Sequence, residues 1–71
     1  MEPKKMTLGE VIYEARHNVG KTIRQLSEET GIAVGSLHAL EHNTIRSPNP
    51  AHLALLAPAL GVWIFDLYDA A

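Results

Sequence analysis

The chain has 71 residues, enough for one domain and no second, and its 46% hydrophobic content suits a compact globule. The absence of cysteine excludes disulfides, thiolate metal sites and a thiol nucleophile. The formal net charge of −2 argues against a strongly basic nucleic-acid binder. All six basic residues nevertheless precede position 47, and only Asp66 and Asp69 carry formal charge after it. The cationic half and the apolar half are therefore expected to have different roles.

No stretch of the sequence predicts a membrane span or a signal peptide. Residues 53–65 form the longest run of low polarity, which Pro58 and Gly61 interrupt. That run is far shorter than the ~20 residues a spanning helix needs. The first five residues lead into an amphipathic segment instead of an apolar signal region. We therefore expect no membrane contact and a cytoplasmic location, in a bacterium or in a host cell infected by a phage.

Glycines, prolines and capping residues divide the chain into five predicted helices. The first runs from about Leu8 to Asn18, where Thr7 and Glu10 have the spacing of a capping box. Gly20 follows its end. Four apolar residues recur at helical spacing and are expected to face the core: Leu8, Ile12, Ala15 and Val19.

The second predicted helix runs from about Ile23 to Thr30. Thr22 and Gln25 repeat the capping-box spacing, Leu26 is expected to point inward, and Gly31 suits a left-handed C-cap.

The third predicted helix runs from about Val34 to His42. Leu37 and Leu40 are expected to point inward, and Asn43 suits the left-handed position that ends the helix.

The fourth predicted helix begins at Pro50, because Asn49 is a good N-cap and proline suits the first helical position. Its apolar face comprises Leu53, Leu56, Ala57 and Leu60. Pro58 removes a hydrogen bond and crowds the carbonyl four residues earlier. A kink or break is therefore expected near residues 54–57.

The fifth predicted helix runs from about Trp63 to Asp69. Ile64 and Leu67 are expected to pack inward, and Tyr68 is a further candidate for the core. The aromatic residues Trp63, Phe65 and Tyr68 have two interpretations. They form an exposed patch for dimerisation, with Phe65 as the expected exposed member, or some of them close the small core.

The segment from Thr22 to Asn43 carries the functional signal. Two short helices are joined there by Thr30-Gly31-Ile32-Ala33, a glycine-containing tight turn typical of a helix-turn-helix. In that motif the first helix crosses the DNA backbone and the second enters the major groove.

The chain resembles the phage repressor and Cro-type, Xre-like or lambda-repressor-like, helix-turn-helix proteins over about residues 8–67. Matching positions lie in every predicted helix except the last: Leu8-Gly9-Glu10, Ala15-Arg16, Gly20, Thr22, Leu26, Gly31, Ile32, Leu37, Leu40, Glu41, Pro48, Leu53, Leu56, Ala57, Leu60, Gly61 and Val62. The resemblance implies an all-α, compact five-helix domain with the helix-turn-helix at helices 2 and 3. A short arm at residues 1–6 would precede a single domain at residues 7–71.

The resemblance also implies site residues. Arg16 and Glu41 occupy the positions of a semi-buried ion pair that orients two helices; two solvated charges are the alternative. DNA contacts are implied for the start of the second helix, for the third helix and for the segment after it: Lys21, Thr22, Ile23, Arg24, Val34, Gly35, Ser36, His38, Ala39, His42, Asn43, Thr44 and Arg46. Lys4 and Lys5 form either a minor-groove arm or a frayed tail.

The third helix departs from the family at its reading positions. The family often has Gln, Arg or Lys where this chain has Val34, Gly35 and Ala39, and Gln where it has Ile23. None of these can make bidentate hydrogen bonds to a base, although Val34 and Ala39 suit thymine methyl groups. Ser36 and His38 are the polar readers that remain. Two alternatives follow: DNA shape supplies part of the specificity, or the groove-facing side of the helix has been lost to another use.

No catalytic constellation is visible, so we expect no enzyme activity and no cofactor. His38 and His42 are four residues apart, but two ligands without a third make too weak a metal site, and we expect none. The sequence thus predicts a sequence-selective transcriptional regulator that binds double-stranded DNA, as a homodimer because a single module buries too little surface. The alternative is a protein-interaction module on the same scaffold, such as an antitoxin, an anti-repressor or a partner-binding domain.

Overall fold

The computed structural model describes residues 6–45 and 47–70, which fold into five helices with no strand among them. In chain order these are α1 (Leu8–Asn18), α2 (Ile23–Thr30), α3 (Val34–Glu41), α4 (Pro50–Leu60) and α5 (Ile64–Ala70). The all-α, five-helix prediction is confirmed. Lys4, Lys5 and Arg46, each considered above for DNA contact, lie outside the described residues.

The predicted capping residues begin the first, second and fourth helices. The Thr7 hydroxyl accepts the N–H of Glu10 at 3.2 Å, and the Thr22 hydroxyl accepts that of Gln25 at 3.1 Å. In both cases the Glu or Gln side chain accepts the threonine N–H in return, which completes a capping box. Asn49 caps α4, with Pro50 in its first turn. Local sequence therefore determines where these helices begin.

Asn43 ends α3 in the left-handed conformation that was predicted for it, with φ of 57°. Its N–H donates to the carbonyl of Leu40 at 3.3 Å, and the N–H of Thr44 donates to the carbonyl of Ala39 at 3.0 Å. This pair of bonds is a Schellman closure. The helix ends at Glu41, one residue earlier than predicted.

Helix α1 packs on α3, α4 and α5, and α2 packs on α3 and α4, around one core. The buried apolar residues come from all five helices and the helix-turn-helix turn: Leu8, Ile12, Ala15, Leu26, Ile32, Leu37, Leu40, Leu53, Leu56, Ala57, Leu60 and Leu67. All the inward residues predicted for α2, α3 and α4 are among them. Ile64 packs partly buried against this core, whereas Tyr68 is 44% exposed.

Val19 was predicted to face the core, and that prediction is wrong: its side chain is 43% exposed. The helix ends at Asn18, so Val19 is the C-cap and no longer follows the helical period. It lines an open groove with Leu60 and Val62 instead of entering the core.

Pro58 does not break α4, which runs uninterrupted from Pro50 to Leu60. The proline lies close to the end of the helix, and Ala54, whose carbonyl loses its partner, is exposed like Pro58 itself. A bond from the N–H of Val62 to the carbonyl of Ala57 at 3.0 Å closes the last turn. The missing bond thus faces solvent, where its cost is small.

The fifth helix runs one residue later than predicted at both ends, from Ile64 to Ala70. Trp63 therefore precedes α5 and is not part of it. Within the described residues, no helix has both the length and the apolar character that a membrane crossing requires.

Candidate nucleic-acid interface

The turn between α2 and α3 is held by side chains of α2. Gly31 takes the left-handed conformation, with φ of 77°, which a Cβ would disfavour. The buried Thr30 hydroxyl donates to the carbonyl of Leu26 at 2.7 Å and accepts the N–H of Ile32 at 3.2 Å. The Ser27 hydroxyl donates to the carbonyl of Ile32 at 2.6 Å. The Thr30 and Ser27 hydroxyls and both backbone polar groups of Ile32 thus have hydrogen-bond partners. These bonds fix the angle between α2 and α3.

Helix α3 has one buried side and one open side. Leu37 and Leu40 are fully buried, and together with Ile32 they anchor the helix to the core. The opposite side carries small, apolar and imidazole groups that are exposed or half-buried: Val34, Gly35, Ser36, His38, Ala39 and His42. The structure therefore brings all the predicted α3 contact residues onto the open side or its edge.

The N-terminus of α3 has no side-chain cap, because its N-cap residue is Ala33. The first N–H groups of the helix therefore have no side-chain acceptor, and the positive end of the helix dipole lies at the same place. A Cβ added at Gly35 would meet nothing within 4 Å, so this end of α3 is open. These features suit close approach by an anionic or polar surface.

The N-terminus of α2 offers two backbone donors. The capping box satisfies the N–H groups of Thr22 and Gln25, while those of Ile23 and Arg24 make no hydrogen bond within the described residues. The Ile23 side chain packs against the core, so only its backbone is available at the surface. Such a helix end favours phosphate binding.

The two basic side chains predicted near the start of α2, Lys21 and Arg24, differ in whether they already have an ionic partner within the fold. Lys21 donates to the Glu29 carboxylate at 2.6 Å and to the Ala59 carbonyl at 2.7 Å, so its ammonium is engaged within the fold. Arg24 is exposed and makes no ion pair with any described residue. Sequence reasoning missed the partners of Lys21, because nothing local connects position 21 with the last turn of α4.

The ion pair between Arg16 and Glu41 is present, and it joins α1 to α3. The guanidinium donates to the carboxylate twice, from Nε at 2.8 Å and from Nη2 at 3.0 Å, and once to the carbonyl of Lys21 at 3.0 Å. The two side chains are 12% and 5% exposed. The hydrogen bonds that Arg16 donates to Glu41 raise its pKa, whereas burial acts in the opposite direction. The pair fixes how α3 is oriented relative to α1.

Asn43 has a structural role that sequence reasoning missed. Its amide oxygen accepts the N–H of Gly9 at 2.9 Å, and its amide nitrogen donates to the Thr7 hydroxyl at 3.0 Å. Gly9 itself lies so close to α3 that an added Cβ would fall 2.3 Å from the carbonyl oxygen of Glu41. The start of α1 is thus attached to the end of α3. The Asn43 side chain already has two partners, and DNA contact by Asn43 stays a prediction.

The aromatic residues of the C-terminal segment all lie outside the core. Trp63 is 74% exposed and Phe65 is 64% exposed, and Tyr68 lies at the surface as well. The interpretation in which some of them close the core is therefore wrong, because Leu67 and the α4 leucines fill that space. Whether two copies pair through this surface stays a prediction. Among the described residues no three His, Cys, Asp or Glu side chains are grouped to hold a metal ion.

Comparisons with known proteins agree with this geometry. Residues 9–70 match the family described as "Helix-turn-helix domain". No curated protein matches the chain significantly. The chain is similar to the N-terminal DNA-binding domain of SinR from Bacillus subtilis, with a TM-score of 0.82, 27% identity, and coverage of 87% of this chain and 90% of that one.

Two further solved structures are similar. One is SinR, the master regulator for biofilm formation, in complex with DNA, with a TM-score of 0.82, 27% identity, and coverage of 89% of this chain and 100% of that one. The other is a complex of SinR and SinI, with a TM-score of 0.83, 27% identity and coverage of 89% of this chain. This chain spans only 61% of the matched chain in that complex.

Proposed function

The chain belongs to the helix-turn-helix domain family, and on that premise we propose that it is a sequence-selective transcriptional regulator. It binds an operator in double-stranded DNA by inserting α3 into the major groove. It acts by occupying a promoter, with no chemical step. The likeness to SinR, which has been solved with DNA, supports this proposal.

The observation that carries the proposal is the two-sided character of α3. Its inner side is anchored by Leu37 and Leu40, while its outer side is open along the whole helix. Apart from the two histidines the side chains there are short, so the N-terminal part of the helix backbone can approach the floor of the groove closely. Val34 and Ala39 suit contact with thymine methyl groups, and Ser36 and His38 suit hydrogen bonds to base edges.

Phosphate contacts on one side of the groove come from the N-terminus of α2. The N–H groups of Ile23 and Arg24 and the Arg24 guanidinium are the available donors there, and Thr22 positions them. Lys21 joins them only if it releases Glu29. Asn43, Thr44 and Arg46 follow α3 in the sequence and are the proposed contacts to further phosphates.

A homodimer is part of the proposal. A single module buries about 600–1,000 Å² on DNA, which is little for selecting one site in a genome. The exposed aromatic residues Trp63, Phe65 and Tyr68 are the proposed dimer surface, because large aromatic side chains dominate the energetics of interfaces. The operator is then a palindrome with half-sites about one helical turn apart.

The direct experiment places a negative charge on the open side of α3. Ala39→Glu should weaken binding to a labelled operator duplex at least roughly tenfold, because the carboxylate would face bases and phosphates. Ala54→Glu adds the same charge on the exposed side of α4 and should change the affinity by less than about twofold. Fluorescence anisotropy measures both. Equal effects of the two variants would contradict docking through α3.

A second experiment addresses Arg46. Arg46→Ala should weaken binding to specific and non-specific duplexes alike and lower the slope of log K against log salt by about 1, since one phosphate contact is lost. Unchanged binding would remove Arg46 from the interface.

The alternative function, a protein-interaction module, is favoured by one observation. The exposed aromatic surface lies in the half of the chain whose only formal charges are Asp66 and Asp69, which suits a protein partner better than DNA. The structural likeness to a SinR–SinI complex is compatible with this alternative. Salt discriminates the two: DNA binding falls steeply as salt rises, whereas an apolar interface responds little.

A further inference from the structure

The open side of α3 is short of permanent positive charge. Of the basic side chains that the structure describes, Arg16 is bound to Glu41 and Lys21 is bound to Glu29. Arg24 is the one left without an ionic partner in that part of the chain, and it lies on α2. Helix α3 carries no Lys or Arg at all. Proteins gain much of their affinity for DNA from positively charged side chains that neutralise phosphates.

Two imidazoles occupy the place where that charge would be expected. His38 on α3 and His42, the C-cap residue of α3, are exposed and one turn apart, with ring centroids 6.2 Å apart and planes inclined by 12°. Neither ring makes a hydrogen bond or an ion pair with another described residue. Histidine is the side chain that ordinarily changes charge between about pH 5 and 8.

We propose that His38 and His42 bind DNA in their protonated form and make the affinity for DNA dependent on pH. This inference rests on the proposed function and deepens it, because it adds a proton to the DNA complex as a second ligand. The imidazolium groups supply the charge that α3 otherwise lacks. DNA binding then becomes tighter as pH falls and weaker as pH rises.

The charges around the pair permit this behaviour. Helices α1 and α2 pack against α3, and they, the loop between them and α3 itself carry these charged or titratable residues: Glu10, Tyr13, Glu14, Arg16, His17, Lys21, Arg24, Glu28, Glu29 and Glu41. Glu41, the acid next to His42 in sequence, is neutralised by Arg16. None of the described carboxylates forms an ion pair with either imidazole, so no acidic group of the described fold competes with DNA phosphates for the two rings.

The direction of the effect follows from linkage. Nearby phosphates favour the charged form of an imidazole, so the DNA complex holds more protons than the free protein. At low pH, where both imidazoles are charged even in the free protein, their contribution to the affinity for DNA is complete. As pH rises this contribution decreases, and it is gone once the DNA complex has also released the two protons.

The test measures binding of a labelled mixed-sequence duplex at constant ionic strength between about pH 5.5 and 8. We expect the Kd of the parent to rise at least roughly tenfold over this range, since one proton released changes Kd by up to tenfold per pH unit. The double variant His38→Gln with His42→Gln should bind with a nearly constant Kd. His17→Gln, which removes an exposed imidazole from α1, should keep the pH dependence of the parent.

A second double variant separates charge from shape. His38→Lys with His42→Lys carries fixed charge and should bind tightly at every pH, with the steep salt dependence that the parent shows at low pH. Circular dichroism establishes that each variant is folded. DNA binding whose pH profile is unchanged in the glutamine variant would overturn the inference and leave the proposed function standing. No binding of the parent at any pH would overturn the proposed function and this inference together.

Discussion

Two regions of this small chain differ in kind. One is the seam between α1 and α3, formed by Thr7, Gly9, Arg16, Glu41 and Asn43. The other is the α5 surface, formed by Trp63, Phe65 and Tyr68. In the seam, polar groups face one another across 25 to 36 residues of sequence, and each has a partner at hydrogen-bond distance. Around α5, the aromatic side chains extend into solvent with no described partner. The seam holds α3 in a fixed orientation, which base reading requires. The α5 surface adds little to the fold and is available for contact with another chain.

The largest effect is expected for Gly9→Ala. The new Cβ would lie 2.3 Å from the Glu41 carbonyl oxygen, a backbone atom that cannot move without displacing α3. We expect a loss of about 3 kcal/mol in the free energy of unfolding, measured by urea denaturation.

Gly35→Ala is the matched control for Gly9→Ala, because a Cβ there meets nothing within 4 Å. It should stabilise α3 by up to about 1 kcal/mol through helix propensity. Similar losses for the two alanines would refute the close approach of α1 to α3.

The second-largest loss of stability is expected when the Arg16–Glu41 ion pair is broken. Arg16→Met leaves the carboxylate of Glu41, which is 5% exposed, without its cation and should cost about 2–3 kcal/mol of stability. Adding Glu41→Leu to that variant should recover most of the loss, because the unpaired charge is then gone. Thermal unfolding of both single variants and the double variant measures the coupling. Additive losses would show that the pair is not coupled.

A smaller effect is expected for Asn43→Gly. Glycine keeps the left-handed backbone, so the variant isolates the two side-chain bonds to Gly9 and Thr7. Their loss leaves the buried N–H of Gly9 unpaired and should cost about 1–2 kcal/mol. Unfolding by urea reports the loss, and amide hydrogen exchange at Gly9 should accelerate with it. Unchanged exchange would show that the bond to Gly9 is not formed.

The smallest effect on stability is expected for a substitution in the α5 surface. Trp63→Ser removes a side chain that is 74% exposed and should change the free energy of unfolding by less than about 0.5 kcal/mol. Sedimentation should instead show a shift from dimer to monomer. A large loss of stability without a change in mass would mean that Trp63 belongs to the fold of one copy.

The same contrast explains how much could be predicted from sequence. The caps Thr7, Thr22 and Asn49 and the left-handed backbones of Gly31 and Asn43 act within a few residues, so their positions predicted where helices begin and end. Such local chemistry is visible in the order of residues.

Contacts between distant residues were harder to predict. The Arg16–Glu41 pair came from family resemblance, since no local rule connects these positions. The bonds of Asn43 to α1, and those of Lys21 to Glu29 and the Ala59 carbonyl, were missed because they depend on how the helices pack. Val19 was misplaced because the helical period was extended one residue past the end of α1.

The most direct test of the account is a binding selection by the folded protein from a pool of randomised duplexes at moderate salt. If the protein is a dimeric, sequence-selective regulator, the pool becomes enriched in a palindrome whose half-sites are about one helical turn apart, with thymine where Val34 or Ala39 approaches the bases. Recovery of no preferred sequence by a folded protein would contradict sequence-selective regulation and favour the protein-interaction alternative.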